Sequence, residues 1–438
     1  MRHWIRFAVL LACLLGAAAA QASPKIERIK TPGGIEVWFV REPSIPMLAL
    51  NAAWRGGAAS EPADKQGLAS LTTALLTEGA GDLGPDDFQN ALRKQAIALD
   101  FDADRDYVTL SLRTLSEHRE RAFELLRMAM TAPRFEDEPI NRIKAGARVS
   151  YERSRSNPNA LAGERFSKAA FGDHPYGRRT SATAESLERI GREDFVAFSR
   201  QVLARDDLLI AAVGDIAPEE LARLVDESFG KLPEKAQVTL PPRVAPKTPA
   251  SPAVVSFPVP QSVVLIGAPG IAREDPDWYA ASVLNQVLGG AGMSSRLFEE
   301  LREKRGLVYS VGTQLIPYKS AALFSGSFAT SNKDVAAALQ LVRDEFKRVA
   351  KDGVTEAELQ AAKDYLTGSF PLRLTSDAGI AGTLLAMRIS GLPIDYIDRY
   401  PALVRSVSAD DIKRVAHRLF DREDFLVVVA GQPVGLGG

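Results

Sequence analysis

One stretch of this chain is written twice. Ser186 to Phe195 lies over Leu403 to Ile412 at a constant offset of 217. The register continues without a gap from Asp206-Asp207-Leu208-Leu209-Ile210-Ala211-Ala212-Val213-Gly214 to Glu423-Asp424-Phe425-Leu426-Val427-Val428-Val429-Ala430-Gly431. Each copy reads as a helix followed by a buried strand. Further upstream, Leu92-Arg93-Lys94 lies over Leu301-Arg302-Glu303 at an offset of 209, and each is followed by two strand-like runs and an amphipathic helix. A 438-residue chain exceeds the roughly 250 to 300 residues at which a single core stops growing, so duplication predicts two related domains.

Between the copies, Lys231 to Pro260 carries eight prolines, which predicts an extended, stiff connector. At the other end, Arg2 and Arg6 precede an apolar run from Phe7 to Ala20 and then Ala20-Gln21-Ala22, the pattern of a secretory signal peptide cleaved near Ala22. A lipoprotein reading at Cys13 is the alternative, for which Leu11 fits poorly. The expected layout is therefore a signal peptide over 1–22, an N-terminal domain over 23–230, a linker over 231–260 and a C-terminal domain over 261–438. The leader's fourteen apolar residues are fewer than the roughly twenty that span a bilayer, and no later run is longer, so no membrane span is expected. Removing the leader removes Cys13, the only cysteine, and a cysteine-free exported chain suits a bacterial periplasm. With 54 Lys+Arg against 55 Asp+Glu, there is no electrostatic reason to expect nucleic acid as a partner.

In the first copy, residues 35–40, 47–54 and 107–112 have strand composition, and helices are expected near 66–78, 85–96, 117–131 and 136–171. In the second, Val335, Leu339, Val342, Phe346 and Val349 recur at helical spacing, while 263–268 and 321–328 read as strands. Strands arriving in pairs with short connections predict an α+β fold, each domain a mostly antiparallel sheet with helices packed on one face.

Several spaced motifs then resemble one family. Trp54-Arg55-Gly56-Gly57, Glu61 to Ala69, Gly79 and His174-Pro175-Tyr176-Gly177, followed by Ser294 to Phe298 running into Leu301 to Tyr309, are similar to the pitrilysin/insulinase zinc peptidases. The likeness covers nearly the whole chain beyond the leader, and implies a clamshell half made of two homologous domains.

The family's chemistry is not written here. Its His-x-x-Glu-His sets two imidazoles one helical turn apart to hold zinc, with the Glu as general base. This sequence has Ser70, Leu71, Thr72, Thr73 and Ala74 in those places, so Ser70, Thr73 and Ala74 mark a degenerate motif. The third ligand of relatives is a later Glu; Arg148, Val149 and Ser150 occupy that neighbourhood, and Glu152 is the nearest acid. Independently of the family, His118, His174 and His417 are far apart in sequence, which disfavours a compact site built on histidine. His118 reads as a surface residue, His174 as a structural hydrogen-bonder and His417 as a solvated or core-edge residue. No cofactor or metal is expected in this chain. Gly289-Gly290-Ala291-Gly292 reads as a turn before the next helix, since no phosphate-binding Lys-Ser/Thr follows.

Arg302 and Tyr309 read alone as a helix-end charge and a strand former. The reversal at Gly306 can nevertheless bring them to one rim of a groove. The resemblance assigns them to substrate binding, as the pair in the family's non-catalytic half that holds substrate backbone and supports the developing oxyanion. In the first copy the matching positions are Arg93 and Asp100. The expected function is a non-catalytic, substrate-binding subunit of a heterodimeric zinc metallopeptidase. A separate chain bearing His-x-x-Glu-His would supply zinc and general base, and substrates would be peptides or unfolded polypeptides. A peptide-binding or scaffolding protein without proteolysis is the alternative, and an autonomous peptidase with an unrecognised site is a third reading.

Overall fold

The computed structural model describes residues 24–290 and 293–436. The leader expected over 1–22 and residues Ala291 and Gly292 of the glycine-rich turn lie outside them. The first half forms β1 (Glu27–Lys30), β2 (Glu36–Arg41), β3 (Met47–Arg55), β4 (Ala98–Ala103), β5 (Tyr107–Leu115) and β6 (Leu209–Gly214), in the sheet order β1-β2-β6-β3-β5-β4. Its longer helices are α1 (Leu68–Leu75), α2 (Pro85–Lys94), α3 (Arg119–Thr131), α4 (Asp137–Arg155), α5 (Pro158–Phe171), α6 (Arg192–Val202) and α7 (Pro218–Phe229).

The second half repeats this plan. β7 (Ala253–Ser256), β8 (Gln261–Pro269), β9 (Val308–Pro317), β10 (Ala322–Ser331) and β11 (Leu426–Gly431) pair in the order β7-β11-β8-β10-β9. The helices are α8 (Trp278–Gly289), α9 (Val335–Asp352), α10 (Glu356–Ser369), α11 (Asp377–Ile389), α12 (Tyr396–Arg405) and α13 (Ala409–Phe420). In each sheet a single pair is parallel, β2 with β6 and β7 with β11, and the other pairs are antiparallel. The fold is α+β with two equivalent sheets, as the sequence predicts. β7 lies inside the proline-rich stretch, whose preceding residues run without regular structure and bond to both halves, Val244 N–H to Ser320 O and Lys247 N–H to Ala170 O.

The expected helix over 136–171 is two helices. Pro158 has no N–H to continue the ladder and holds Asn157 extended (φ −116°, ψ 112°), and the Asn157 side chain caps the new helix through Asn159 and Ala160 N–H.

This break places α5 on the opposite sheet. Ala162, Phe166 and Ala170 of α5 pack with Val263, Leu426, Val428 and Ala430 of the second sheet. The equivalent helix of the second half, α11, returns the exchange: Ile380, Ala381, Leu384 and Leu385 pack on Trp38, Val40, Ala49, Ala53, Ala211 and Val213 of the first sheet. Each sheet thus carries its own helices on one face and a helix from the other half on the second. Arg388 at the end of α11 fixes the crossing by donating to Glu36 O (2.8 Å) and Ile210 O (2.6 Å). Tyr176, fully buried, fastens the halves a second time: its hydroxyl donates to Asp106 and accepts from Ser320 N–H (2.9 Å), while Asp106 also accepts from Lys319 N–H (3.0 Å).

Candidate functional site

The helix that carries the degenerate motif, α1, begins at Gly67, whose φ of +87° and whose approach to Ala182 (an added Cβ would meet its backbone N at 2.3 Å) admit only glycine. Glu61 caps it: one carboxylate oxygen accepts from Gly67 N–H (2.9 Å) and the other from Ala69 N–H (2.6 Å). Burial pushes the Glu61 carboxyl up to about 8, and these two bonds together with Arg178 pull the other way. Leu68, Leu71 and Leu75 enter the core.

The motif positions are turned to helix chemistry. Ser70 Oγ donates to Gly67 O (3.1 Å) and Thr73 Oγ1 to Ser70 O (3.0 Å), while the Ala74 methyl is exposed. Helix α4 packs beside α1, yet Arg148 is drawn to Glu188, and Val149, Ser150 and Glu152 are exposed. Hydroxyls bonded to carbonyls of their own helix, a methyl and an arginine do not make a zinc site. Among the described residues, no group of three or more His, Cys, Asp or Glu is placed to hold a metal. The histidines stay apart. His174 Nδ1 accepts from Tyr176 N–H (3.2 Å) and its Nε2 lies 2.9 Å from Pro242 O, a structural role; exposed His417 pairs with Asp421 (2.8 Å), and His118 lies 3.8 Å from Glu117.

Arg302 and Tyr309, by contrast, are brought together. The chain ahead of Arg302 forms a short α-turn, Arg296–Phe298, that widens into a π-turn over Glu299–Glu303. Arg296 anchors it from below. Its Nε and Nη2 fork onto Glu358 (2.6 and 2.7 Å) and its Nη1 reaches Glu345 (3.1 Å), which is 2% exposed. Gly306, at φ +63°, reverses the chain by bonding back to Arg302 O (3.0 Å), and β9 starts two residues later. The result sets the Arg302 guanidinium 5.3 Å from the Tyr309 ring centroid, with the ring 83% exposed. Lys304 and Arg305 are engaged by Glu299 and Glu300, whereas no carboxylate among the described residues pairs with Arg302. Among the described residues strand β9 pairs only with β10, so its other edge, from Val308 to Pro317 beside this pair, has no strand partner. In the first half, Arg93 is engaged by Asn90 Oδ1 (2.6 Å) and Asp100 has no aromatic ring to offer.

Two family profiles match the chain. A family profile described as Insulinase (Peptidase family M16) matches residues 52–184, and one described as Peptidase M16 inactive domain matches residues 189–366. The chain belongs to the M16 peptidase family. A crystal structure of a peptidase M16 inactive domain from Pseudomonas fluorescens is 29% identical, superposes with a TM-score of 0.88 and covers 94% of this M16 chain and 99% of its own. The non-peptidase homolog YmxG of Helicobacter pylori is 26% identical over 406 residues, covering 92% of this chain and 93% of that protein. A Streptomyces coelicolor protein described as an uncharacterized zinc protease is 26% identical over 410 residues, covering 92% and 89%. With its motif positions filled by Ser70, Thr73 and Ala74, this M16 chain is a homologue of the inactive kind.

Proposed function

We propose that this chain is the substrate-binding, non-catalytic subunit of a heteromeric zinc metallopeptidase acting on peptides or unfolded polypeptides. A second M16 chain with an intact His-x-x-Glu-His supplies zinc and general base. The observation that carries the reading is the exposed Arg302–Tyr309 pair at the head of an open strand edge. The edge offers backbone donors and acceptors to an extended peptide, and the guanidinium and phenol add donors that can support charge developing on a carbonyl oxygen. The reading extends to an exported, periplasmic assembly, supported by the leader-like first 22 residues.

Mixing tests it. The purified chain alone should hydrolyse no peptide; with an intact M16 partner from the same genome, zinc-dependent cleavage should appear in the co-purified complex. Hydrolysis by the isolated chain, with tightly held zinc, would refute the proposal. The relative described as a non-peptidase homolog favours a second reading, peptide binding without proteolysis, and stoichiometric peptide binding with no hydrolytic partner would select it.

A further inference from the structure

Apart from the Arg302–Tyr309 rim, the two halves enclose a cleft of about 750 Å³ where β9 ends, bounded by the β4–β5 turn and the end of α11. Five cations and three carboxylates line it. The carboxylates are all engaged. Asp104 accepts from Asp106 and Tyr107 N–H (both 2.7 Å), Asp106 from Tyr176 and Lys319, and Glu274 from Arg243 (2.6 Å).

Three of the cations are engaged as well. Arg243 is held by Glu274, Arg388 by the carbonyls of Glu36 and Ile210, and Arg273 by the Tyr396 hydroxyl (3.1 Å) and by stacking on Trp278, 4.9 Å from its ring centroid. Arg55 and Lys319 differ. The Arg55 side chain makes no hydrogen bond or ion pair among the described residues, and the Lys319 ammonium has one acceptor, Ile389 O at 2.7 Å, for its three N–H groups. Lys319 Nζ lies 5.9 Å from the Tyr107 ring centroid, and Arg55 is the cross-strand neighbour of Tyr107 on β3 and β5. The Tyr107 hydroxyl is also without a hydrogen-bond partner among the described residues. Desolvation and then the like charge of Arg55 lower the Lys319 pKa, against the opposing pull of Glu274 and Asp106.

We propose that this cleft is an oxyanion-binding site, in which a carboxylate or phosphate group bridges Arg55 and Lys319 and accepts from the Tyr107 hydroxyl. A guanidinium fork and an ammonium, neither in an ion pair among the described residues, match two oxygens of such a group, and its charge relieves their mutual repulsion. The inference uses none of the residues of the rim and stands whether or not the chain assists proteolysis.

The test is calorimetric titration of the full mature chain at low ionic strength with two kinds of probe: inorganic phosphate, and a pentapeptide with either a free or an amidated C-terminus. The wild type should bind phosphate or the free-carboxylate peptide. Arg55→Met and Lys319→Met should each weaken that binding at least tenfold, while Arg243→Met, whose cation already serves Glu274, should change it less than threefold. Preference for the free over the amidated peptide assigns the group to a peptide terminus, and phosphate binding alone assigns it to a phosphate. No binding of either probe, or equal binding by Arg55→Met, overturns the site. The melting midpoint without ligand separates a structural role: Arg55 has no partner to lose, so Arg55→Met should melt at or above the wild type, and a lowered midpoint with unchanged affinity would also overturn it.

Discussion

Replacing Gly267 by alanine probes the exchanged helices directly. A Cβ at Gly267, on the face of β8 that receives α5, would stand 2.5 Å from Phe166 Cζ and 3.0 Å from Cε2. Ordinary carbon contacts are about 3.5 to 4.0 Å, so α5 must recede by about 1 Å or the buried ring must leave its rotamer. Overpacking of this kind costs about 1 to 3 kcal/mol. Phe166→Ala should cost about 3 to 5 kcal/mol by leaving a cavity. The two defects share one space, because the new methyl fills part of the hole that the missing ring leaves. The double variant should therefore be no less stable than Phe166→Ala alone, a coupling of about 1 to 3 kcal/mol. Urea unfolding followed by far-ultraviolet circular dichroism, at constant m, measures all four corners of the cycle. Strict additivity, within about 0.5 kcal/mol, would show that the Phe166 ring does not face β8, and the account of the crossed helices would fall with it.

The rim, the clasp and the ion network give further predictions. In the proposed two-chain peptidase, Arg302→Ala and Tyr309→Phe should lower turnover, the former by about 10²- to 10³-fold if its guanidinium faces the oxyanion, with assembly unchanged by gel filtration; unchanged turnover would remove them from the chemistry. Tyr176→Phe leaves Asp106 and the Ser320 N–H each short of a buried partner and should destabilise the chain by about 1 to 3 kcal/mol in urea melts. Glu358 is held down at about 2: desolvation opposes this but is outweighed by the bonds from Arg296 and Thr355. Its folded value lies below its unfolded one of about 4.5, so its contribution is complete above that pH and is lost as pH falls toward 2. Melting midpoints of the wild type should drop through this window more steeply than those of Glu358→Gln.

Much of this was legible in the sequence, and the exceptions have physical causes. The duplication, the α+β class and the paired strands followed from local pattern, because period and turn chemistry are properties of neighbouring residues. The break at Asn157-Pro158 was legible too, since proline ends a helix whatever surrounds it; reading 136–171 as one helix passed over it. The exchange of α5 and α11 lies outside local pattern, but it left a signal. Leu209 to Gly214 and Leu426 to Gly431 are apolar without alternation, and a strand apolar on both sides needs cover on both faces. In the structure Ile210 and Ala212 face one core and Ala211 and Val213 the other. The π-turn under Arg302 could not be read, because it depends on Arg296 reaching Glu345 and Glu358, 49 and 62 residues away. Nor could the spare charge of Arg55, which depends on where every neighbouring carboxylate has already gone.

Fold and chemistry separate cleanly at α1. Its start is set by Gly67 and the Glu61 carboxylate and its buried face by Leu68, Leu71 and Leu75, none of which is a position that would carry a ligand or base. Ser70 and Thr73 hydroxyls satisfy themselves on carbonyls of their own helix, and an exposed methyl at Ala74 asks for no partner. The helix therefore pays nothing in stability for lacking a metal site. At the other end of the duplication the reasoning reverses: an exposed tyrosine under an arginine with no ion-pair partner among the described residues, at the head of an edge strand, adds little to the stability of an isolated chain. What such groups offer is contact with something outside the chain. The same criterion, donors with fewer acceptors than the fold could have supplied, is what the proposed Arg55–Lys319 site rests on, independently of the rim.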